Sequence, residues 1–223
     1  IKGSTDNQLL TDKNVHIWDG NSSKEYLESR GLSYEQNDLG PIYGFQWRHF
    51  GAEYKGRFTD YKGKGVDQLH WLINEIKQNP SSRRLILSAW NVSDLDKMAL
   101  PPCHILSQFY VNQELGTLSC QLYQRSGDMF LGVPFNISSY AFLTCILAKL
   151  TGYKPGELHH VIGDSHIYEE HYTSVITQLK RVPKPFPILT ISDDLTDIDT
   201  ISEDMFLIEN YECYSRLSAP MKV

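Results

Sequence analysis

The stretch VPFNISSYAFLTCILAKLTG, residues 133–152, constrains the fold more than any other. Apolar residues occupy nearly every side of the helix it would form, Pro134 stands where a first helical turn tolerates proline, and Gly152 stands where helices tend to stop. A helix apolar nearly all round must be covered nearly all round, so this one is predicted to be central and buried. Runs suited to a sheet precede it. RRLILSAWNV is a short continuous apolar run, the pattern of a strand covered on both faces. ILSQFYV and TLSCQLYQR follow, separated by NQELG, a glycine-containing connection of hairpin length. Three consecutive strands are therefore predicted to form a sheet.

Two further helices are expected. In GVDQLHWLINEIKQNP the apolar residues Val66, Leu69, Leu72, Ile73 and Ile76 recur at three- and four-residue spacing, and Pro80 closes the pattern. The segment YEEHYTSVITQLKRV reads as another helix, after which Pro183, Pro185 and Pro187 force an extended exit. Strands follow one another instead of alternating regularly with helices, so the fold class is α+β, in one domain covering all 223 residues. The opening IKGSTDNQLL has no initiator methionine and reads as a helix end, a glycine turn and a cap for the next helix, so further residues are expected upstream.

Bulk properties exclude several classes of function. A formal net charge of -6 argues against a broad nucleic-acid or membrane surface, both of which need a basic face, so any anion must be held by a local cluster. Cys103, Cys120, Cys145 and Cys213 have no paired short spacing, which argues against a zinc ribbon or a disulfide framework and fits a reduced intracellular compartment. Cys120, Cys145 and Cys213 are read as core residues. No apolar segment is expected to reach the roughly 20 residues of a membrane span, and no membrane partner is expected.

The chemistry concentrates in a few places. In MALPPCH, two prolines fix the backbone ahead of Cys103 and His104. A thiol becomes a nucleophile when nearby cations stabilise its thiolate, and Arg83, Arg84 and Arg125 are the candidates. Adjacent strand residues point to opposite faces, which makes Cys103 and His104 a poor nucleophile–base pair. Arg83 and Arg84 abut a strand and suit forked hydrogen bonds to a phosphate. GDSHIY places His166 and Tyr168 in a glycine-rich turn, both able to donate to a hydroxyl. Asn136 lies one turn into an otherwise apolar helix, where a carboxamide must find a partner, either as a cap or by reading a planar base.

Taken in order, IKGST, IWDG, DLGPIYGFQWRHFGAEY, SRR, SAWN, MALPPCH, QFYV, LSCQLYQRSGDMFLGVPFNI, GDSHIY and PFP resemble the thymidylate synthase family over essentially the whole length. HFGAEY resembles the eukaryotic branch, which includes herpesvirus enzymes and fusions with dihydrofolate reductase. The resemblance implies a large twisted mixed sheet with helices packed on it, and a homodimer joined through the sheet face. It implies reductive methylation of dUMP to dTMP, with methylenetetrahydrofolate as cosubstrate giving both the carbon and the hydride, and no metal.

Roles follow residue by residue from the same resemblance. Cys103 matches the nucleophile that adds to C6 of the pyrimidine. Arg125 matches the arginine that meets the nucleotide phosphate near that thiol, and Ser126 a second phosphate ligand. Arg83 and Arg84 match the pair that reaches the partner's phosphate across the dimer, and His104 and Gln124 match further substrate-site residues. Asn136 matches the asparagine that reads the uracil N3 and O4 edge, while His166 and Tyr168 match those that hold the ribose 3′-hydroxyl. Ile17, Trp18, Leu131, Gly132 and Phe135 match the wall of the folate site, Asp128 its pterin-binding carboxylate, and Tyr43 a tyrosine that assists proton removal at C5.

There are departures. The family's general-base glutamate and a mobile-loop arginine lie upstream of IKGST, and a chain lacking them is expected to turn over poorly. Phe130 stands where the eukaryotic pattern often has glycine. YECYSRLSAP replaces the usual PHP segment, and the tail is MKV, a region that closes over the folate in the family. Two rivals remain. A deoxycytidylate hydroxymethylase is opposed by Asn136 and Trp18, and a noncatalytic nucleotide- or RNA-binding homologue is opposed by Cys103. A cytoplasmic location is expected, with nucleus or mitochondrion as alternatives.

Overall fold

A computed structural model describes residues 1–221. The chain folds as two compact units, the first Ile1–Gln108 and the second from Phe109 onward. The break falls inside a single strand.

The first unit carries α1 (Gln8–Thr11), α2 (Lys24–Ser29), α3 (Tyr43–His49), α4 (Gln68–Gln78), β1 (Ile86–Ser88) and the start of β2 (His104–Asn112). α4 is the helix expected from its periodicity. Asp67 caps it by accepting from the His70 N–H, and Leu69, Leu72, Ile73 and Ile76 form its buried face. β1 pairs antiparallel with β2 in the register Ile86↔Gln108, Leu87↔Ser107, Ser88↔Leu106. The run RRLILSAWNV is not a strand covered on both faces. Its strand is three residues long with Ile86 exposed and Leu87 buried, and from Val92 the chain turns into a 3₁₀ helix capped by Asn91. One core gathers Leu27, Leu32, Leu39, Ile42, Met98 and Ala99, with Trp18 and Tyr43 packed against it. Phe45 is fully buried, its ring edge-on to those of Tyr54 and Tyr61 at 5.1 and 4.8 Å.

In the second unit β2 ends and the chain turns through residues 113–116 into β3 (Thr117–Asp128), followed by α5 (Gly132–Thr151) and β4 (Lys154–His166). β3 and β4 are parallel, with Gln124 opposite Ile162, Ser126 opposite Asp164 and Asp128 opposite His166. α5 is the crossover between them, as parallel neighbours require. It ends at Gly152, whose φ of 81° is the left-handed conformation of a glycine C-cap. Antiparallel and parallel pairings together make the sheet mixed, and the class α+β, as expected.

α5 corrects two expectations. Its carboxyl-terminal half is buried through Leu143, Ile146, Leu147 and Leu150, but Phe135 and Ile137 near its start are exposed. It is covered on part of its surface only. It is also 20 residues long and apolar enough that by length and composition it reaches a membrane span after all. Its buried side packs on the unit's own strands, the position of a core helix.

β4 is the longest element that sequence patterning missed, alongside α2, α3 and the strands Ile188–Ile191 and Phe206–Glu209, and GDSHIY is not a turn. Gly163–His166 form the end of the strand, and Tyr168 follows just beyond it. A 3₁₀ turn at Glu169–His171 leads into α6 (Tyr172–Leu179), the last expected helix. After the prolines, β5 (Ile188–Ile191) pairs antiparallel with β6 (Phe206–Glu209). The final segment returns along α6. Tyr214 packs under the charged groups of Arg181 and Lys184 at 5.2 and 5.1 Å, and its hydroxyl donates to the Val182 carbonyl at 3.0 Å. Of the tail MKV, Lys222 and Val223 lie outside the described residues.

Candidate active site

In the first unit the nucleophile candidate sits where β2 begins. Pro101 and Pro102 deliver the chain to Cys103, and the Cys103 backbone N–H donates to the Tyr43 hydroxyl at 2.8 Å. Tyr43 is the first residue of α3, held by the core beneath it. Its ring lies 5.0 Å from that of His104 and 6.0 Å from that of Trp18. Cys103, His104, Tyr43 and Trp18 are thus brought together, each half-buried, with Ile17 beside Trp18. A half-buried thiol is reachable by a ligand, unlike Cys120, whose thiol is buried and pushed up to about 12 by that burial. Cys145 is half-buried, and burial raises its thiol too. Cys213 is exposed, so it is not a core residue, because it lies on the surface segment that carries Tyr214.

Arg83 and Arg84 are exposed on the loop between α4 and β1. With Asn79, Ser81 and Ser82 they line a cleft of about 220 Å³. Two guanidinium groups on one cleft can hold an oxyanion by charge-assisted hydrogen bonds.

In the second unit, residues from β3, α5 and β4 converge. Gln124 is 2% exposed, and every polar atom of its amide is used. Its Nε2 donates to the Ser126 carbonyl at 2.8 Å and to Asn136 Oδ1 at 2.8 Å, while its Oε1 faces His160 Nε2 at 2.8 Å. A carbonyl only accepts, so Ser126 fixes which end of Gln124 is nitrogen. That in turn fixes the oxygen end of Asn136. Burial holds His160 below the ordinary imidazole range, which favours the neutral ring. Sequence reasoning passed over His160 because LHHVIGDSH alternates too weakly to read as a strand.

Arg125, Ser126 and Asp128 are half-buried at the carboxyl end of β3, and His166 ends β4 directly opposite Asp128. Gly163 is required here, because a Cβ on it would come within 2.9 Å of the Arg125 carbonyl oxygen. Asp128 Oδ1 accepts from the Phe130 N–H at 3.0 Å. Rings continue from there: His166 lies 5.1 Å from Tyr168, Tyr168 lies 5.5 Å from His171, and His171 lies 5.4 Å from Phe130. Phe130, 8% exposed, turns inward onto His171. Leu131 and Gly132 are half-buried at the start of α5, and Phe135 is 56% exposed. His171 is a second residue that patterning missed, since one histidine in YEEHY carries no periodic signal.

Within a mixed α+β fold, the first unit carries a half-buried thiol at a strand mouth, and the second an oriented carboxamide beside the end of β3 that bears Arg125 and Ser126. The thymidylate synthase family model matches residues 1–223. The chain belongs to that family. It is 54% identical over 224 residues to the thymidylate synthase of Herpesvirus ateles, covering 100% of this chain and 77% of that protein. It is also 54% identical over 224 residues to the bifunctional dihydrofolate reductase-thymidylate synthase of Zea mays, covering 100% of this chain and 43% of that protein. With the corresponding protein of Leishmania amazonensis the identity is 58% over 195 residues, 87% of this chain and 38% of that one. The chain therefore spans under half of the fusion proteins it matches, and about three quarters of the herpesvirus enzyme.

Proposed function

We propose that the protein methylates dUMP to dTMP, taking carbon and hydride from methylenetetrahydrofolate. Cys103 adds as thiolate to C6 of the uracil and C5 becomes nucleophilic. C5 attacks the folate's methylene iminium, the C5 proton leaves, tetrahydrofolate is expelled, and hydride transfer to the exocyclic methylene gives dihydrofolate. Elimination of the thiolate then releases dTMP. Arg125 and Ser126 hold the phosphate, His166 and Tyr168 the ribose hydroxyl, and Asp128 the pterin. In the homodimer, Arg83 and Arg84 serve the partner's phosphate, a role supported by their exposure and the serine-lined cleft around them.

The observation that carries this reading is the direction of the Asn136 amide. With Oδ1 turned toward the Gln124 donor, oxygen and nitrogen keep a fixed order. That order suits the N3–H donor and O4 acceptor of uracil. Cytosine presents the reverse pattern, which weakens the hydroxymethylase alternative.

The test is dUMP-dependent formation of dihydrofolate by the full-length protein, followed by absorbance, with Cys103→Ala as control. Turnover that disappears in the variant is expected. Nucleotide binding without turnover in the wild type would favour the noncatalytic homologue, and salt-dependent RNA binding would then be measured.

A further inference from the structure

The segment Asn91–Cys103 is fastened to α3 at both of its ends. At the far end the Cys103 N–H donates to the Tyr43 hydroxyl. At the near end it meets Gln46, which follows Tyr43 by one turn of α3 and is fully buried. Gln46 Nε2 donates to the Pro41 carbonyl at 2.9 Å and to Asp94 Oδ2 at 3.0 Å, while its Oε1 accepts from Asn91 Nδ2 at 3.1 Å. The Asn91 amide also donates to Asp94 Oδ2 at 3.0 Å, and Lys97 donates to Asp94 Oδ1 at 2.8 Å. Asn91 and Asp94 are themselves buried. A carboxylate only accepts, so Asp94 fixes which end of each amide is nitrogen, and every polar atom of the Gln46 side chain is used. Between its ends the segment has little slack. The Ala99 N–H donates to the Leu39 carbonyl at 3.1 Å, the Tyr34 hydroxyl donates to the Lys97 carbonyl at 2.9 Å, and a side chain at Gly40 would collide with that same carbonyl.

We propose that Gln46 is a positioning residue for Cys103: its grip on Asn91 and Asp94 sets where the segment runs along α3, and so where the thiol stands. Three buried polar groups, one of them charged, cost more to desolvate than apolar ones, so they are a poor choice for stability alone. An apolar side chain of the same size would keep the base of the segment buried. Without directional bonds it would not fix how far along α3 the segment lies. Tyr43 and Gln46 stand on one turn of one helix, which makes α3 a common frame for both fastenings. When the grip is lost, Tyr43 stays with α3 while the segment shifts, and the Cys103 N–H no longer meets the Tyr43 hydroxyl. A displacement of about 1 Å at a reacting group lowers rate by up to about a hundredfold.

This inference rests on the proposed reading of Cys103 as the nucleophile. Its test is kcat per folded molecule of the full-length protein at saturating substrates, together with the Kd for dUMP by calorimetry. Gln46→Met keeps the volume and removes the grip, so kcat should fall about tenfold or more while the Kd for dUMP moves less than about twofold. Asp94→Asn keeps an oxygen that accepts from both amides and turns its nitrogen toward Lys97, whose half-exposed side chain can swing into water, so kcat should stay within about threefold of wild type. Independent losses multiply, whereas losses carried through one bond do not. The double variant with Gln46→Met and Tyr43→Phe should therefore turn over about as fast as Tyr43→Phe alone. If Gln46→Met does not fold, Asn91→Ala, which removes one bond of the grip, takes its place in each comparison with a kcat loss of about threefold or more. Unchanged kcat at lowered stability, a tenfold loss in Asp94→Asn, or losses that multiply in the double variant would each overturn the role of Gln46. The functional reading survives any of these as long as the wild type turns over and Cys103→Ala does not. A wild type without turnover removes that reading, and the role of Gln46 with it.

Discussion

Gln124 and Asn136, twelve residues apart, share a hydrogen bond of 2.8 Å whose direction is set from outside the pair by the Ser126 carbonyl. Gln124→Glu removes the donor and sets a carboxylate oxygen against two acceptors. Asn136 is then released to turn its nitrogen toward residue 124. The expected outcome is dUMP affinity lowered about tenfold or more, with a narrower margin over dCMP, since a buried group left unsatisfied costs roughly 1–3 kcal/mol. Calorimetric titration of both nucleotides measures it. An unchanged dUMP-to-dCMP ratio would mean that the amide is oriented by something else.

Tyr43→Phe keeps the ring against Trp18 and His104 but removes the acceptor of the Cys103 N–H. A stability loss of about 1 kcal/mol in denaturant unfolding is expected. Turnover should fall by more than that loss accounts for, because the thiol-bearing backbone is no longer tied down. Full activity at reduced stability would leave Tyr43 a structural role alone.

Gly163→Ala sets a methyl group within 2.9 Å of the Arg125 carbonyl oxygen, so β3 and β4 must part where Arg125 stands. Overpacking of this kind costs about 1–3 kcal/mol. If Arg125 holds the phosphate, dUMP binding weakens and deoxyuridine binding hardly changes. Equal losses for both ligands would place the damage elsewhere.

His160 is held neutral by burial, below its ordinary 6.5. As pH falls below 6.5 the unfolded chain takes up a proton that the folded chain resists, so the folded state loses stability down to the lowered value and levels off beneath it. His160→Gln, which keeps a donor for Gln124, should flatten that part of the profile. Denaturation midpoints between pH 7.5 and 5 test this, and an identical slope in the variant would remove His160 as its source.

Much of the fold was legible, for reasons that differ by element. α4 has a polar face and an apolar face of its own, so its period appears in the chain. The apolar run of α5 announced a helix but not how much of it is covered, because Phe135 and Ile137 look no different from Leu143 until the packing is known. β4 was hidden by Pro155, Gly156 and Gly163, which punctuate a sequence as turns do, although Gly163 is there to admit the neighbouring strand. Cys103, Arg125 and Asn136 stood out through their resemblance to a known family. His160 and His171 did not, since each is defined by what it touches in space: Gln124 in one case, Asp128 and Pro220 in the other.

Parallel pairing of β3 and β4 sends both strands toward the same rim, where Asp128 and His166 finish side by side. The opposite rim, with the turn at 113–116 and Gly152, carries none of the chemistry, and Gly116 and Gly152 both have open space where a side chain would begin. The second unit therefore has a working end and a handle. A fluorophore, affinity tag or surface tether grafted between Asn112 and Thr117 would leave the rim of Asp128 and His166 undisturbed, making that hairpin the place to attach the protein to an instrument.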